Sequence, residues 1–240
     1  MEQLIAWCAV TKDAVEFLRK LVIAGYNIFI SGGTGSGKTT FLNALSNYIP
    51  KQERIITIED NAELQIRGVE NLVRLEARKG NTQGDHEITI RDLIRASLRM
   101  RPDRVIVGEV RGEETIDMIQ AMNNGHDGSL STGHGNSPRD MLARLETMVL
   151  MGMELPVSAV RRQIASGLDI MVHLGRMRDR SRKVLEILEI TGYSYEKEEI
   201  LTHTLYEFEE TGKGQEKVIG TLIKKGELQQ TRKLERAGLL

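Results

Sequence analysis

Residues 32–39 read Gly32-Gly33-Thr34-Gly35-Ser36-Gly37-Lys38-Thr39 and decide the fold of this chain. A short apolar segment, 28–30, precedes them, and an apolar helical pattern over 37–47 follows. This is the G-x-x-x-x-G-K-[ST] pattern in a strand–loop–helix setting. Glycines let the backbone turn several N–H groups toward one point, where the following helix also directs its positive end. The stretch therefore predicts a P-loop that binds nucleotide phosphates.

The contacts predicted for this loop depend on residue type. Lys38 supplies a point charge for the β- and γ-phosphates, and Thr39 offers a hydroxyl ligand to Mg²⁺. The sequence has neither the N-K-x-D pattern of guanine selectivity nor an L-S-G-G-Q-like transporter signature. We therefore expect ATP and Mg²⁺ as cofactors. The predicted nucleotide-binding residues of the loop are Gly32, Gly33, Thr34, Gly35, Ser36, Gly37, Lys38, Thr39 and Thr40.

Helical patterns and short apolar strands alternate through the first two-thirds of the chain. The segments 55–58 and 105–107 are apolar and β-branched, as buried parallel strands are. Thr11, Thr89 and Ser137 are placed to cap helices, and a further helix is predicted to open at Pro156. This rhythm predicts an α/β fold with a mostly parallel sheet flanked by helices.

The pattern changes after Leu168. Strands joined by short loops are predicted at 169–174, 184–190 and 203–209, which indicates antiparallel additions at the sheet edge toward the C-terminus. Beyond Thr211 the chain is polar and charged, as a terminal helix or a frayed tail is. We therefore expect one domain over 1–210 and a polar tail or helix over 211–240.

The composition excludes several classes of protein. A net charge of −1 and a pI near 6.6 disfavour a dedicated nucleic-acid binder, so no nucleic-acid partner is expected. Cys8 is the one cysteine, so no internal disulfide is possible. Residues 1–10 contain Glu2 and no basic segment, which argues against a signal peptide. No apolar run approaches the ~18 residues that a membrane span needs.

Three further segments carry polar side chains suited to phosphoryl chemistry. Residues 105–109 are an apolar strand followed by Gly108 and Glu109; Gly108 stands where an Asp is common. A second acidic cluster, 57–63, ends at Glu63, and a Gly-rich polar segment, 125–134, ends at His134. Carboxylates at the C-terminal ends of parallel strands face the ligand crevice of such sheets. These segments therefore predict the acidic side of a nucleotide site.

Together these segments resemble the secretion ATPase superfamily, the motors of type II and type IV secretion and of type IV pili. The resemblance covers residues 11–174: 58–63 is similar to the aspartate box, 105–111 to the atypical Walker B motif and 125–134 to the histidine box. The phrases SGGTGSGKTT, TIEDNAEL and SLRMRPDRVIVGEVRG most resemble the CpaF-type ATPases of tight-adherence (Flp) pili. The fold implied is a RecA-like P-loop NTPase core.

The resemblance also implies roles for individual residues. Glu63 would polarise the attacking water, Glu109 would support Mg²⁺ and that water, and His134 would sense the γ-phosphate. Thr39 and Glu109 would be the metal ligands, and Arg111 would tie the Walker B end to neighbouring acids beside the nucleotide.

Several residues keep a second interpretation. Glu59 and Asp60 are equally suited to capping a turn, and His126 to a structural role. Arg99 and Arg101 are either arginine fingers for a neighbouring subunit or surface charge. The basic run 176–183 is typical of a solvated hairpin loop, or of a contact with anionic lipid or a partner's loop. Trp7 is interpreted as a packing anchor or part of a linker.

The function implied is an ATPase motor for pilus assembly or protein secretion. The resemblance implies a homo-oligomer, a hexameric ring, in the cytoplasm at the inner membrane, where a platform protein would be its partner. A nucleic-acid translocating ring and a nucleotide-gated scaffold with little turnover are the alternatives. Only 31 residues precede Gly32, so the family's N-terminal lid domain is expected to be absent, with weak turnover by the chain alone.

Overall fold

The computed structural model describes residues 1–80, 87–212 and 217–240, and the strands among them form one nine-stranded sheet. The strands are β1 (Ile28–Gly32), β2 (Arg54–Glu59), β3 (Asn71–Glu76), β4 (Arg104–Val107), β5 (Leu130–Gly133), β6 (Ile170–Arg176), β7 (Arg182–Ser194), β8 (Glu199–Glu210) and β9 (Gly220–Lys224). Their order across the sheet is β3-β2-β4-β5-β1-β6-β7-β8-β9.

Eight α-helices and one 3-10 turn, Leu98–Met100, accompany these strands within the described ranges. The helices are α1 (Glu2–Ala6), α2 (Lys12–Ile23), α3 (Lys38–Ser46), α4 (Ile90–Ser97), α5 (Glu114–Asn123), α6 (Pro138–Gly152), α7 (Val157–Gly167) and α8 (Arg232–Arg236). None of them is long and apolar enough to cross a membrane.

The caps predicted from sequence are confirmed. The side chain of Thr11 accepts from the backbone N–H of Ala14, and Ser137 caps α6 with Pro138 in its first turn. Thr89 and Asp92 form a reciprocal capping box at the start of α4. These side chains fix where each helix begins, and so where the loop before it leaves the sheet.

The first six strands of the chain are parallel wherever they pair. β1 lies between β5 and β6, and β4 lies between β2 and β5. Because these parallel strands all run in the same direction, the loops after β1, β2, β4 and β5 leave from the same edge of the sheet. That edge carries the P-loop and the three polar segments.

The C-terminal strands are antiparallel, with one correction. β6 pairs parallel with β1, and only β7, β8 and β9 run antiparallel to their neighbours. The prediction of antiparallel additions from residue 169 is therefore wrong for β6 and right from β7 onward. A strand at this position can close on β1 in the parallel sense because the crossover through α6 and α7 is long enough.

The tail beyond Thr211 contributes regular structure that the sequence patterns did not reveal. β9 pairs with β8, and α8 buries Leu234. The Nζ of Lys233 lies 2.7 Å from Asp169 Oδ2, and the buried Glu189 accepts hydrogen bonds from the backbone of Gln229 and Gln230. The expected terminal helix corresponds only to the five residues of α8, and 220–224 form a strand that was not predicted; residues 213–216 lie outside the described part. β3 and α1 were also not predicted.

Two apolar clusters cover the two faces of the sheet. One cluster packs α2 and α3 against side chains of the sheet such as Ile28 and Ile30. The other packs the helices α4, α5, α6 and α7 against side chains such as Phe29. Alternate residues of β1 therefore enter different clusters, as the period of a strand requires. The stripe predicted on α2 is buried as expected: Ala14, Val15, Leu18, Leu21 and Val22.

Candidate active site

The P-loop connects β1 directly to α3. Gly35 and Gly37 have φ values of 73° and 95°, a region that glycine enters without steric cost. A Cβ on Gly32 would collide with the backbone carbonyl of Leu174 in β6. The loop is thus held close to the sheet, and the first turn of α3, with Lys38 and Thr39, faces the cavity beside it.

Lys38 and His134 are in direct contact. The Lys38 ammonium lies 3.1 Å from the carbonyl oxygen of Gly32, 3.3 Å from that of Gly33 and 3.1 Å from His134 Nδ1. His134 Nε2 lies 2.8 Å from Glu109 Oε1. Burial lowers the pKa of both Lys38 and His134. A neutral imidazole can accept from Lys38 at Nδ1 and keep its Nε2 proton beside Glu109, where Oε1 lies close to the ring without a hydrogen bond of good geometry.

Arg111 holds the other side of Glu109. Its Nε lies 2.8 Å from Glu109 Oε2, and its Nη1 lies 3.4 Å from Asp60 Oδ2. The prediction that Arg111 ties the end of β4 to neighbouring acids is confirmed. Glu109 is therefore fixed between a histidine and an arginine, which orients its carboxylate in the cavity.

Backbone and hydroxyl hydrogen bonds join the three loops that carry these residues. The N–H of Gly108 donates to the carbonyl of Ile58 at 2.9 Å, so the loops after β2 and β4 are linked. The Thr132 hydroxyl donates to the carbonyl of Gly108 at 2.8 Å, and the N–H of Val110 donates to the carbonyl of Thr132 at 3.0 Å. The relative positions of Glu109 and His134 are thus set by the sheet edge itself.

Glu59 and Glu63 lie in the same acidic cluster but differ in environment. Glu59 is buried, and its Oε1 accepts from the backbone N–H of Glu63 at 3.0 Å and of Leu64 at 2.9 Å. The turn-capping interpretation of Glu59 is therefore confirmed. Burial raises the pKa of Glu59, against the effect of those two N–H groups. Glu63 is exposed at the rim of the cavity, which leaves its carboxylate free to meet a ligand.

The glycine at position 108 has a steric explanation. A Cβ there would lie 3.0 Å from Cγ of Glu59, tighter than ordinary van der Waals contact. An aspartate could not occupy this position unless Glu59 moved. Burial of Glu59 against the end of β4 thus accounts for the departure noted in the sequence.

These residues share one cavity of 440 Å³. Four carboxylates line it, against the permanent cations Lys38 and Arg111; the four are Glu59, Asp60, Glu63 and Glu109. Thr39 offers a hydroxyl in the same cavity, and hard oxygen ligands are those that Mg²⁺ prefers. Within 1–80, 87–212 and 217–240 no group of three or more His, Cys, Asp and Glu could hold a metal alone. The residues therefore fit Mg²⁺ bound jointly by protein oxygens and substrate phosphates.

Comparisons with known proteins give the family. The sequence profile of the Type II/IV secretion system protein family matches residues 3–228. The chain belongs to this family. It is 41% identical over 179 residues to a putative conjugal transfer protein of Mycobacterium tuberculosis, covering 75% of this chain and 50% of that protein. It is 40% identical over 177 residues to the type IV secretion system protein PtlH of Bordetella pertussis, covering 72% and 52%.

Solved structures of type II/IV secretion proteins share the fold. The VirB11 ATPase of the Brucella suis type IV secretion system aligns with a TM-score of 0.66 at 35% identity, over 78% of this chain and 54% of that one. The pilus retraction motor PilT with bound ADP aligns at 0.52 and 21% identity, over 92% and 53%. The predicted RecA-like core is thereby confirmed. The chain spans about half the length of the relatives that it matches.

A second cavity, of 550 Å³, adjoins the first in this member of the secretion family. Gly35, Gly37 and Thr40 line both cavities, so the two meet at the P-loop. The other walls come from Phe41 in α3 and from distant segments, among them Trp7, Leu174, Arg180 and Arg182. Trp7 is 60% exposed, so its interpretation as a packing anchor is wrong.

Two residues of the basic run 176–183 contact backbone carbonyls elsewhere in the chain, one of them in the P-loop. The Nε of Arg182 lies 2.8 Å from the carbonyl oxygen of Gly35, and the buried Lys183 donates to the carbonyl of Cys8 at 2.7 Å. The prediction of a solvated hairpin is therefore wrong for Lys183, whereas Arg176, Arg178, Arg180 and Arg182 are exposed as it requires. The contact arises because β6 lies beside β1, which places the β6–β7 turn over the loop.

Other residues singled out in the sequence lie away from the cavity of 440 Å³ beside Lys38 and Glu109. The His126 ring is 3.3 Å from the carbonyl oxygen of Ala121, as its structural interpretation requires. Arg99 and Arg101 are exposed and line neither cavity, which leaves both of their interpretations open. Trp7 and Arg180 were not predicted to line a cavity beside the P-loop, because no sequence motif links them to residues 32–39.

Proposed function

We propose that this chain is the ATP-hydrolysing motor domain of a bacterial secretion or pilus-assembly machine. The observation that carries the proposal is the contact chain from Lys38 through His134 to Glu109, which brings three segments of sequence to one point. Lys38 Nζ lies 3.1 Å from His134 Nδ1, and His134 Nε2 lies 2.8 Å from Glu109 Oε1. Such a chain suits a site that must respond to a γ-phosphate, because a phosphate that takes Lys38 leaves Nδ1 of the neutral ring without its donor. The ring can then donate to the phosphate once it takes a proton at Nδ1 or turns its Nε2–H away from Glu109.

Each residue has a defined task in this proposal. The P-loop backbone and Lys38 bind the phosphates, and Thr39 and Glu109 are the ligands of Mg²⁺. The metal supplies charge neutralisation at the β- and γ-phosphates. Glu63 orients and polarises the attacking water, and Arg111 keeps Glu109 in place. The excess of carboxylates over cations in the cavity makes both Mg²⁺ and a further cation necessary for a polyanionic substrate.

The second cavity is proposed to hold the base and ribose of ATP. It begins where the P-loop residues Gly37 and Thr40 face both cavities, so a nucleotide with its β- and γ-phosphates in one reaches the other. The exposed face of Trp7 offers a stacking surface for a planar base. Phe41 and Leu174 provide apolar walls, and Arg180 provides hydrogen-bond donors at the rim.

The biological setting is proposed from the family and from the resemblance to CpaF-type sequences. The chain would work as a homo-oligomer, a hexameric ring, on the cytoplasmic side of the inner membrane against a platform protein. Relatives named for type IV secretion and for conjugal transfer support a membrane-associated transport machine. The Flp pilus is the branch that we propose within this family.

Steady-state phosphate release with ATP and Mg²⁺, measured beside the mass of the assembly, tests the proposal. We expect Mg²⁺-dependent turnover that is lost in Glu63→Gln and Lys38→Ala. Tight ATP binding without turnover in any assembled state would instead identify a nucleotide-gated scaffold. Turnover stimulated many-fold by DNA, with salt-dependent DNA binding, would identify a nucleic-acid translocase.

A further inference from the structure

A buried hydrogen-bonded pair lies directly beneath the P-loop. The Ser31 side chain at the end of β1 and the His173 side chain in β6 meet at 2.8 Å between Oγ and Nδ1. Ser31 is fully buried and His173 is 6% exposed. The two residues are partners in the parallel register of β1 and β6, so the pair joins neighbouring strands at the edge that carries the site.

The pair also borders the loop of His134: Ser31 is the register partner of Gly133 at the end of β5, directly before His134, and the His173 ring lies beside the backbone of Asn136. Burial lowers the pKa of His173, while this contact raises it, as a ring N–H donated to a carbonyl does. A neutral ring therefore accepts from the Ser31 hydroxyl at Nδ1 and leaves its other nitrogen protonated, on the side of Asn136. Asn136 lies two residues after His134, in the short loop between β5 and α6.

That loop has little freedom elsewhere. Ser137 caps α6, and a Cβ on Gly135 would lie 3.0 Å from Cβ of Met141, so the loop packs closely on the helix. The contact with His173 fixes it from below. Ser31 precedes Gly32, whose carbonyl accepts a hydrogen bond from Lys38. Lys38 in turn contacts His134. These contacts therefore form a closed cycle from Lys38 through Ser31, His173 and the β5–α6 loop to His134.

We propose that His173 is a positioning residue for hydrolysis: it fixes the loop of His134 relative to the P-loop, so that His134 meets the γ-phosphate. The proposal rests on the role of His134 given under the proposed function. His173 itself contacts no substrate. Its effect belongs to the chemical step, because a small displacement of a correctly placed group can lower a rate by up to about 10²-fold while ground-state binding is kept.

Steady-state kinetics of three variants test this. We expect His173→Leu, which removes the hydrogen bond to Ser31 and the polar contact with Asn136, to lower kcat by about 10-fold with the KM for ATP within about 2-fold of wild type. His173→Gln keeps one acceptor and one donor and should recover most of kcat. Ser31→Ala should fall between them. Ser97→Ala is the matched control, because Ser97 is an equally buried serine that bonds only to Ile94 in α4 and should leave kcat unchanged.

A double-mutant cycle with His134→Ala separates positioning from a general structural effect. If His173 acts through His134, His134→Ala combined with His173→Leu is no slower than His134→Ala alone. If the two losses in kcat multiply, the proposal is overturned. It is also overturned if His173→Gln is no more active than His173→Leu, or if kcat falls only in proportion to the melting temperature across all His173 variants. Full activity of His134→Ala would instead refute the role of His134 in the proposed function, which is a distinguishable result.

Discussion

The two cavities that meet at the P-loop are built in opposite ways. The cavity of 440 Å³ that we propose to hold the phosphates, here called the phosphate cavity, is lined by charged and hydroxyl groups from the ends of neighbouring parallel strands. Contacts among Lys38, His134, Glu109 and Arg111 hold these groups in place. The second cavity is lined by aromatic, aliphatic and basic side chains from the N-terminal segment and the β6–β7 turn. Shared glycines of the loop are what join them.

Under the proposed function, the difference matches what each part of a nucleotide requires. Phosphates are bound by backbone N–H groups and a few charges at fixed positions, which a short contiguous motif can supply. A base is bound by area and shape, which segments far apart in sequence can supply equally well. Changes in the two cavities should therefore have effects of different size and kind, and four experiments examine this.

The largest effect is expected for Lys38→Ala. Without its ammonium the loop loses charge-assisted bonds to two phosphates, so affinity for ATP should fall by about 10²-fold or more. Inorganic tripolyphosphate should lose affinity to the same degree, because the loss lies entirely in the phosphate cavity. Isothermal titration of both ligands measures this, with Lys51→Ala, an exposed lysine outside both cavities, as control. Unchanged affinity in Lys38→Ala would refute the P-loop assignment.

Glu63→Gln should act on turnover and leave binding intact. The change keeps the shape of the side chain and removes its charge, so kcat should fall by about 10²-fold, the size of a general-base contribution, at unchanged ATP affinity. Single-turnover hydrolysis measures this. Glu59→Gln is the matched comparison in the same cluster, and its buried cap on residues 63 and 64 predicts lost stability more than lost chemistry. Normal hydrolysis by Glu63→Gln with inactive Glu59→Gln would reverse the assignment.

Assembly should affect the phosphate cavity alone. Four carboxylates there face two permanent cations, so a cation from a neighbouring subunit would complete the site. We expect turnover per subunit to rise at least about 10-fold across a hundredfold range of protein concentration, while ATP affinity changes little. Phosphate release and light scattering on the same samples measure this, with Arg99→Ala and Arg101→Ala compared with the exposed Arg67→Ala. A flat, fast rate from a proven monomer contradicts the ring.

The smallest effect is expected for Trp7→Ala in the second cavity. Stacking of a base on a partly exposed aromatic ring contributes about 1 kcal/mol, so affinity for ATP should fall by about 5-fold. Tripolyphosphate, which has no base, should bind as tightly as before. Trp7→Phe keeps an aromatic face and should stay within about 2-fold of wild type. Equal losses for ATP and tripolyphosphate would show that Trp7 supports the fold of the P-loop and holds no base.

Local patterns in the sequence were enough for most of the secondary structure. Thr11, Thr89 and Ser137 cap the helices predicted at those places, because capping depends on residues within one turn. The strand β9 and the parallel pairing of β6 were not predicted. The pairing of β6 is decided by β1, which is distant in the chain. The strand β9 follows its partner β8 closely, but its five residues, with Leu222 and Ile223 adjacent, are too few to show an alternating pattern.

The sequence by itself determined the P-loop, the class of fold and the charged residues that the structure brings together in the cavity beside it. It could do so because loop curvature, helix direction and the positions of Lys38 and Thr39 are set within eight consecutive residues. Glu109 and His134 could be predicted to lie near the P-loop because each comes at the C-terminal end of a parallel strand, and these ends share one edge of the sheet.

Only the tertiary structure decided which groups touch. It brought the β6–β7 turn and Trp7 to the P-loop, buried Glu59 under Gly108 and left Glu63 exposed, and joined Ser31 to His173. Strand order sets these contacts, since β6 lies beside β1 although about 140 residues separate them. Strand order is fixed by the burial of both faces of the sheet, a property of the whole chain that no local segment carries.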